Sequence, residues 1–264
     1  AASRVSVFFL DESQSIIWRD MGTRKEIETC AALLGAEIEE IELETQFRCS
    51  GADDYVYWVD RILGIGEDDG DPSLGGSYEL EIFDSPDELR DQVSAKNVGG
   101  LHSSRLLASY CWDWVSKKNP QLDDISFPGS RFSMKWNLAS HGQGWMAEPD
   151  GVNQVGSVFT AQGLEGPYMG VIMGLDVVWR NGQFVSSPDA RAKTDRQTLW
   201  GWKKELAENP VAAQDKASRL FRNQYRVLLT RGQLGTFIYS PDDETREFLR
   251  SSIEGARTAY GRAT

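Results

Sequence analysis

The sequence predicts an α/β fold: a mostly parallel sheet with helices on both faces. Short runs rich in β-branched and aromatic residues alternate along the 264 residues with segments of helical period. Helix-start signals stand between them, Thr23-Arg24-Lys25-Glu26 as a capping box and Ser85-Pro86 as an N-cap with proline in the first turn. Two polar stretches, Val158-Phe159-Thr160-Ala161-Gln162-Gly163-Leu164-Glu165 and Leu228-Leu229-Thr230-Arg231-Gly232, fall where apolar runs break.

In chain order, Arg4 to Leu10 reads as a buried strand that delivers Asp11-Glu12-Ser13-Gln14 at its end. The capping box opens a helix through Ile27, Cys30 and Leu34 that stops at Gly35. Ile38 to Leu43 is expected as a strand ending in Glu44-Thr45-Gln46-Phe47-Arg48-Cys49-Ser50, and Val56, Val59, Ile62 and Leu63 mark a short amphipathic helix. Gly64 to Gly76, rich in Gly and Asp, is a loop. Tyr78 to Phe83 is a strand, and a helix follows Ser85.

Ser104 to Trp114 fits either period, with alternation at Leu106, Ala108 and Tyr110 favouring a strand. Pro120 to Asp150 shows no clear period. Val155 to Phe159 and Met169 to Met173 read as two strands joined by a tight turn, in which Thr160 and the backbone beside Gly163 could meet a phosphate. Val177 to Val185 is a hairpin around Asn181-Gly182. Pro188 to Asn209 reads as a basic, partly helical insertion, Val211 to Arg231 as a long helix, and Thr236 to Tyr239 as a strand. In open parallel sheets, ligands bind beyond the carboxyl ends of strands, where Asp11, Gln14, Gln46, Arg48, Thr160, Glu165 and Arg231 are expected.

Composition narrows the function classes. The chain is 40% hydrophobic and 26% charged, and no apolar run approaches the ~20 residues of a membrane span. Cys30, Cys49 and Cys111 are widely spaced, and His102 and His141 have no metal-ligand spacing, so no metal site is expected and a reduced, cytoplasmic protein fits best. The opening Ala-Ala-Ser-Arg, with neither start Met nor signal peptide, reads as part of a longer protein. A net charge of −12 argues against a general nucleic-acid coat. Residues 37–90 hold 17 acidic and 3 basic side chains, whereas residues 180–231 hold 11 basic and 5 acidic. A local basic face and ordinary solvated faces of opposite sign both account for that split.

Asp11-Glu12 after an apolar strand can be read as a metal-binding carboxylate beside a water-positioning one. Asp11-x-x-Gln14-Ser15-Ile16-x-Trp18-Arg19, followed by Leu43-Glu44-Thr45-Gln46-Phe47-Arg48-Cys49-Ser50, more closely resembles motifs III and IV of superfamily 1 helicases of the UvrD/Rep type. The stretches ending in Glu165 and Arg231 resemble motifs V and VI. The chain has one residue fewer between Ile16 and Trp18 than that pattern, and Gln-Phe-Arg in place of Asn-Tyr-Arg. The Gln46-Phe47-Arg48-Cys49 variant, Tyr110-Cys111-Trp112-Asp113-Trp114, Trp179-Arg180-Asn181-Gly182 and Ala190-Arg191-Ala192-Lys193-Thr194-Asp195 are more specifically similar to the Schlafen group 3-like DNA/RNA helicase family, over Val5 to about Leu249.

That resemblance implies a P-loop NTPase fold of the RecA-like kind. Residues 1–36 would be the last strand and helix of a first RecA-like domain, and residues 37–264 the second, with a basic hairpin and helix insertion at about 177–209. It implies Gln14 as a γ-phosphate sensor and Arg48 and Arg231 as arginine fingers. Asp11, Gln46 and Glu165 would complete the nucleotide contacts, with Trp18, Arg19, Thr160 and Gly163 on nucleic acid. Guanidinium suits a finger because it stays protonated and forks onto oxygens. As ordinary structure, Arg48 would be a surface ion pair and Arg231 a cation at a helix C-terminus.

No G-x-x-x-x-G-K-[ST] occurs in the sequence. The loop for ATP, and the carboxylate for its Mg²⁺, are therefore expected upstream, in an N-terminal RecA-like domain of the same polypeptide. Among nine tryptophans, Trp58, Trp200 and Trp202 sit in helix-like contexts and read as packing, while Trp18, Trp112 and Trp136 are the candidates for base stacking. The sequence leaves two functions open: an ATP-driven helicase or translocase acting on single-stranded or partly duplex nucleic acid, and a non-catalytic binding or regulatory module that keeps the fold.

Overall fold

Nine strands and seven α-helices make up the computed structural model, which describes residues 3–20, 23–41, 49, 52–66, 72–97, 103–138, 140 and 142–263. The helices are α1 (Arg24–Leu34), α2 (Asp53–Leu63), α3 (Pro86–Ala95), α4 (Val158–Ala161), α5 (Trp202–Glu208), α6 (Pro210–Leu229) and α7 (Asp243–Ala263). The strands are β1 (Glu79–Ile82), β2 (Arg105–Ala108), β3 (Ile125–Ser126), β4 (Ser133–Trp136), β5 (Gln154–Gly156), β6 (Gly166–Ile172), β7 (Val177–Arg180), β8 (Gln183–Ser186) and β9 (Gly232–Tyr239). Seven of them form one sheet in the order β1-β9-β6-β2-β5-β4-β3, parallel throughout except where β3 runs against β4.

Side-chain alternation divides the core between the two faces of this sheet. Leu107, Val171 and Ile238 point into a cluster with Trp58, Phe221, Leu228 and Leu249 from α2, α6 and α7. Their neighbours Leu106, Ile172 and Phe237 point the other way, onto Leu89 and Val93 of α3 and onto Phe132 and Trp136. On that second face a Cβ at Gly170 would lie 2.6 Å from both Leu106 and Val93, so glycine lets α3 approach the sheet. This is the α/β class that the sequence predicts, with helices on both faces.

Local signals set several boundaries. Thr23 and Glu26 form the reciprocal capping box, and α1 ends at Gly35 with φ of 63°. The Ser85 hydroxyl accepts from the Glu88 amide, 3.1 Å away, with Pro86 opening α3. Asn181 and Gly182 adopt φ of 53° and 81° and turn β7 into β8.

Three expected elements differ. Arg4 to Leu10 forms no strand among the described residues, and Val5, Val7, Phe8, Phe9 and Leu10 are exposed. A strand needs a neighbour for its amides and carbonyls, and the described residues supply none. Ile38 to Ile41 likewise carries no ladder, and the rest of that segment, with Gln46 and Arg48, lies outside the described residues. The apolar run Val155 to Phe159 divides: β5 stops at Gly156, and Ser157 starts the one-turn helix α4. The Thr160 hydroxyl and the Ser157 amide cap one another there, which breaks the extended run.

The insertion is tied to the core by a buried network. Arg191 bridges Asp176 (2.7 Å) and Asp195 (2.5 Å), with both carboxylates and the guanidinium almost fully enclosed. Thr198 also accepts from Arg191, and Tyr225 of α6 donates to Asp176. Burial opposes the charge on Arg191, but the two carboxylates outweigh it and hold the guanidinium firmly protonated.

Candidate functional site

Residues 11–20 fold back on themselves through two carboxylates. Asp11 caps the 3-10 turn Glu12–Gln14, accepting from the Ser13 amide at 3.1 Å, from the Ser13 hydroxyl and from Gln14 Nε2 at 2.6 Å. Asp20 closes the other end, accepting from the Ile16 amide at 2.8 Å, the Ser15 hydroxyl at 3.1 Å and the Ile17 amide at 3.2 Å. Side chains of α6 take the carbonyls that remain: Asn223 Nδ2 donates to Glu12 and Ser15, and Gln224 Nε2 donates to Ile16. The segment is thus fastened to α6 and holds a fixed position relative to that helix.

Gln14 and Asp11 face the C-terminal half of α6 and the turn before β6. Gln162 Nε2 donates to the Gln14 carbonyl at 3.3 Å. Arg226 lies 4.0 Å from Asp11 and forks onto Asp60 of α2 at 2.5 and 3.0 Å. Burial disfavours the Arg226 charge, yet the bond to Asp60 and the nearby carboxylates raise its pKa above the ordinary value. The Arg226 carbonyl in turn accepts from both the amide and the hydroxyl of Thr230.

Arg231, the next residue, is only 3% exposed. Its Nε donates to the Val227 carbonyl at 2.9 Å, and its terminal nitrogens to the Leu164 carbonyl at 3.4 Å and the Thr230 hydroxyl at 3.3 Å. Hydrogen bonds join Arg226, Thr230, Arg231 and Leu164 on one side and Asp11, Gln14 and Gln162 on the other, and the 4.0 Å ion pair of Arg226 with Asp11 bridges the two. Glu165 borders it, exposed, accepting from Gln233 at 3.3 Å, and Gly163 turns the chain with φ of 81°.

The edge of the sheet is not the expected one. Gly166 and Gly232 begin β6 and β9 and pair with each other, while Ile172 pairs with Tyr239 at the far end. Glu165 and Arg231 thus sit at the amino edge of these strands. The short helix α4 carries the chain back from the end of β5 before β6 begins, so the polar stretch precedes a strand instead of following one.

The residues expected on nucleic acid are dispersed. Thr160 donates to Asn137 at 2.9 Å and caps α4, so its hydroxyl is engaged inside the fold. Trp18 is 5% exposed: its ring meets Trp202 edge-on at 5.9 Å, Lys216 sits 4.5 Å from its centroid, and its Nε1 donates to Glu205 at 3.0 Å. It packs in the core and is not an open stacking platform. Its amide, held by the Thr198 carbonyl at 2.7 Å, fixes the inward turn together with these contacts. Trp136 is also enclosed, stacked 5.1 Å from Tyr110, and Trp112 is half-buried against Phe127.

Arg19 is exposed and reaches Trp200, with its Cζ 5.5 Å from the ring centroid. Trp200, read from the sequence as packing, stands in solvent. Arg226, Asn223 and Gln224 are further site residues that the sequence reading missed. Their signal was their place on α6, five to eight residues before Arg231 and therefore one to two helical turns away.

For a nucleotide, the described residues offer an amide at Gln14, a carboxylate at Asp11 and cations at Arg226 and Arg231 that already hold acceptors. No three His, Cys, Asp or Glu side chains among the described residues converge as metal ligands. The Gln14 amide donates to Asp11, and both guanidinium groups hold acceptors within the fold. No helix among the described residues is long and apolar enough to cross a membrane.

The family described as Schlafen group 3, DNA/RNA helicase domain, matches residues 1–242. The chain is similar to the uncharacterized protein YPL245W of Saccharomyces cerevisiae, 25% identical over 224 residues that cover 78% of this chain and 47% of that protein. The chain thus spans about half the length of this relative. No solved structure matches it.

Proposed function

The chain belongs to the Schlafen group 3 DNA/RNA helicase domain family, and from that premise we propose that it is the C-terminal motor portion of an ATP-dependent helicase or translocase. Gln14 and Asp11 would face the γ-phosphate side of a nucleotide, with Arg48 and Arg231 as arginine fingers and Gln46 and Glu165 beside them. ATP bound with Mg²⁺ supplies the phosphoryl group whose transfer drives movement. Catalysis of such transfer rests on positioning and on cations placed against developing negative charge. The observation that carries this reading is the fastening of residues 11–18 to α6 by Asn223 and Gln224, which ties a phosphate-sensing segment to the helix ending in Arg231.

An upstream RecA-like domain of the same polypeptide would provide the phosphate loop and the metal carboxylate, with residues 1–36 as its tail. Exposed Val5, Phe8, Phe9, Leu33 and Leu34, together with an α1 that buries none of its residues, support a partner there. Of the residues expected on nucleic acid, exposed Arg19 and Gly163 would be the ones open to a single strand. In the intact polypeptide, Arg231→Ala and Arg48→Ala are each expected to lower ATP turnover by roughly 10³-fold or more, as finger removal does, with nucleotide affinity less affected. Near-normal kcat in either variant would remove that arginine from the mechanism.

The inward guanidinium of Arg231, held by three acceptors, favours a second reading: a module that keeps the fold and binds without turnover. Under that reading Arg231→Ala lowers thermal stability and the intact polypeptide shows no strand-stimulated hydrolysis.

A further inference from the structure

Eight of the nine tryptophans are buried or half-buried; Trp200 alone is exposed, with 62% of its surface accessible. It stands between the loop carrying Lys193 and Arg196 and the start of α5, which carries Lys203 and Lys204, and all four cations are exposed. Asp195 is turned inward onto Arg191, with 1% of its side chain accessible, and Lys204 lies 3.9 Å from Glu208. On a chain of net charge −12 this leaves a local excess of positive charge in water.

The loop is also held in place. The Thr198 carbonyl accepts from the Trp18 amide at 2.7 Å, and Gln224 Nε2 bonds both the Thr198 hydroxyl and the Ile16 carbonyl. Gly201, at φ of 103°, lies beside Trp18 and Arg19, at ordinary contact distance. The Arg19 guanidinium carbon stands 5.5 Å from the centre of the Trp200 ring.

We propose that Trp200 and Arg19, with Lys193, Arg196, Lys203 and Lys204, form a contact for single-stranded nucleic acid, in which the indole stacks a base and the cations hold phosphates. The proposal rests on the functional reading above and assigns the stacking that Trp18, being enclosed, does not offer. An exposed indole accepts the face of any base, which suits a sequence-tolerant contact, and guanidinium adds a cation–π contribution. Because Arg19 follows Gln14 and Asp11 in one fastened segment, a strand held here bears on the same turn that carries the phosphate-facing residues.

Binding of labelled oligo-dT and oligo-U to the intact polypeptide, read by anisotropy, tests this. Trp200→Ala is expected to weaken binding roughly ten- to hundredfold, the loss of one stacked base, while Trp200→Phe keeps most of the affinity. Lys203→Gln should reduce the slope of log affinity against log salt by about 0.7, one phosphate contact on a single strand. Melting temperatures of these variants should match the parent protein. If the parent binds oligonucleotides and Trp200→Ala binds equally well, the proposal is overturned and the general reading stands. If Trp200→Ala lowers the melting temperature with affinity unchanged, another part of the polypeptide covers the indole, and the proposal is again overturned. If the parent binds neither oligonucleotide, both readings fall.

Discussion

Trp18 illustrates how one side chain can be displaced from an expected role by its neighbours. It follows the polar turn Glu12-Ser13-Gln14-Ser15 and two isoleucines, and its amide is held by Thr198, its Nε1 by Glu205 and its ring by Trp202 and Lys216. Truncating such a buried ring costs about 3–5 kcal/mol. Trp18→Ala is therefore expected to lower the melting temperature markedly, with Trp18→Phe recovering part of the loss; calorimetry on the two variants measures it. An unchanged melting temperature would mean that the enclosure is dispensable. The sequence offered Trp18 as a stacking residue because it follows a polar turn, and its partners lie about 180 residues away, where local pattern carries no information. Arg231 was legible as a helix-end cation, but its three acceptors were not. They belong to α6 itself and to a turn whose approach depends on α4.

At the scale of elements, boundaries written in local chemistry were readable. The Thr23 capping box, the Ser85-Pro86 start and the Asn181-Gly182 hairpin each need only neighbouring residues. Helix α7 was not anticipated, although Ser240-Pro241-Asp242-Asp243-Glu244 repeats the logic of the Ser85 start. Asp242 accepts from the Thr245 amide and hydroxyl at the start of α7, and Arg180 of the hairpin forks onto it at 2.8 and 2.5 Å. The bond from Arg180 is the main cause that holds the Asp242 carboxyl well below the usual carboxylate range, with burial opposing and Thr245 assisting. A depressed folded value stabilises above the unfolded value of about 3.9 and is lost as pH falls below it. The melting temperature is therefore expected to fall below about pH 4, and Asp242→Asn to flatten that acid limb while lowering the melting temperature at neutral pH. An unchanged acid limb in the variant would show that Asp242 does not link hairpin and helix electrostatically.

At the scale of the molecule, the parallel sheet and its two-sided core followed from the alternation of apolar runs. The edge at which the polar turns gather did not. The stretch ending in Glu165 looked like a strand end, and only the one-turn helix α4, which reverses the chain before β6, moves it to the amino edge beside Arg231. The first segment shows the opposite limit. Val5 to Leu10 has the composition of a buried strand but stays exposed.

The account's central claim is that residues 11–18 and α6 form one flank of a nucleotide site whose phosphate loop and metal carboxylate come from elsewhere in the polypeptide. ATP hydrolysis measured side by side on the intact polypeptide and on residues 1–264 alone, with and without single-stranded nucleic acid, tests it most directly. The account predicts strand-stimulated turnover by the intact protein, reduced by Arg231→Ala, and none above background by the shorter chain. Turnover by residues 1–264 alone that disappears on Asp11→Asn would contradict it, making Asp11 a metal ligand within a site that this chain completes.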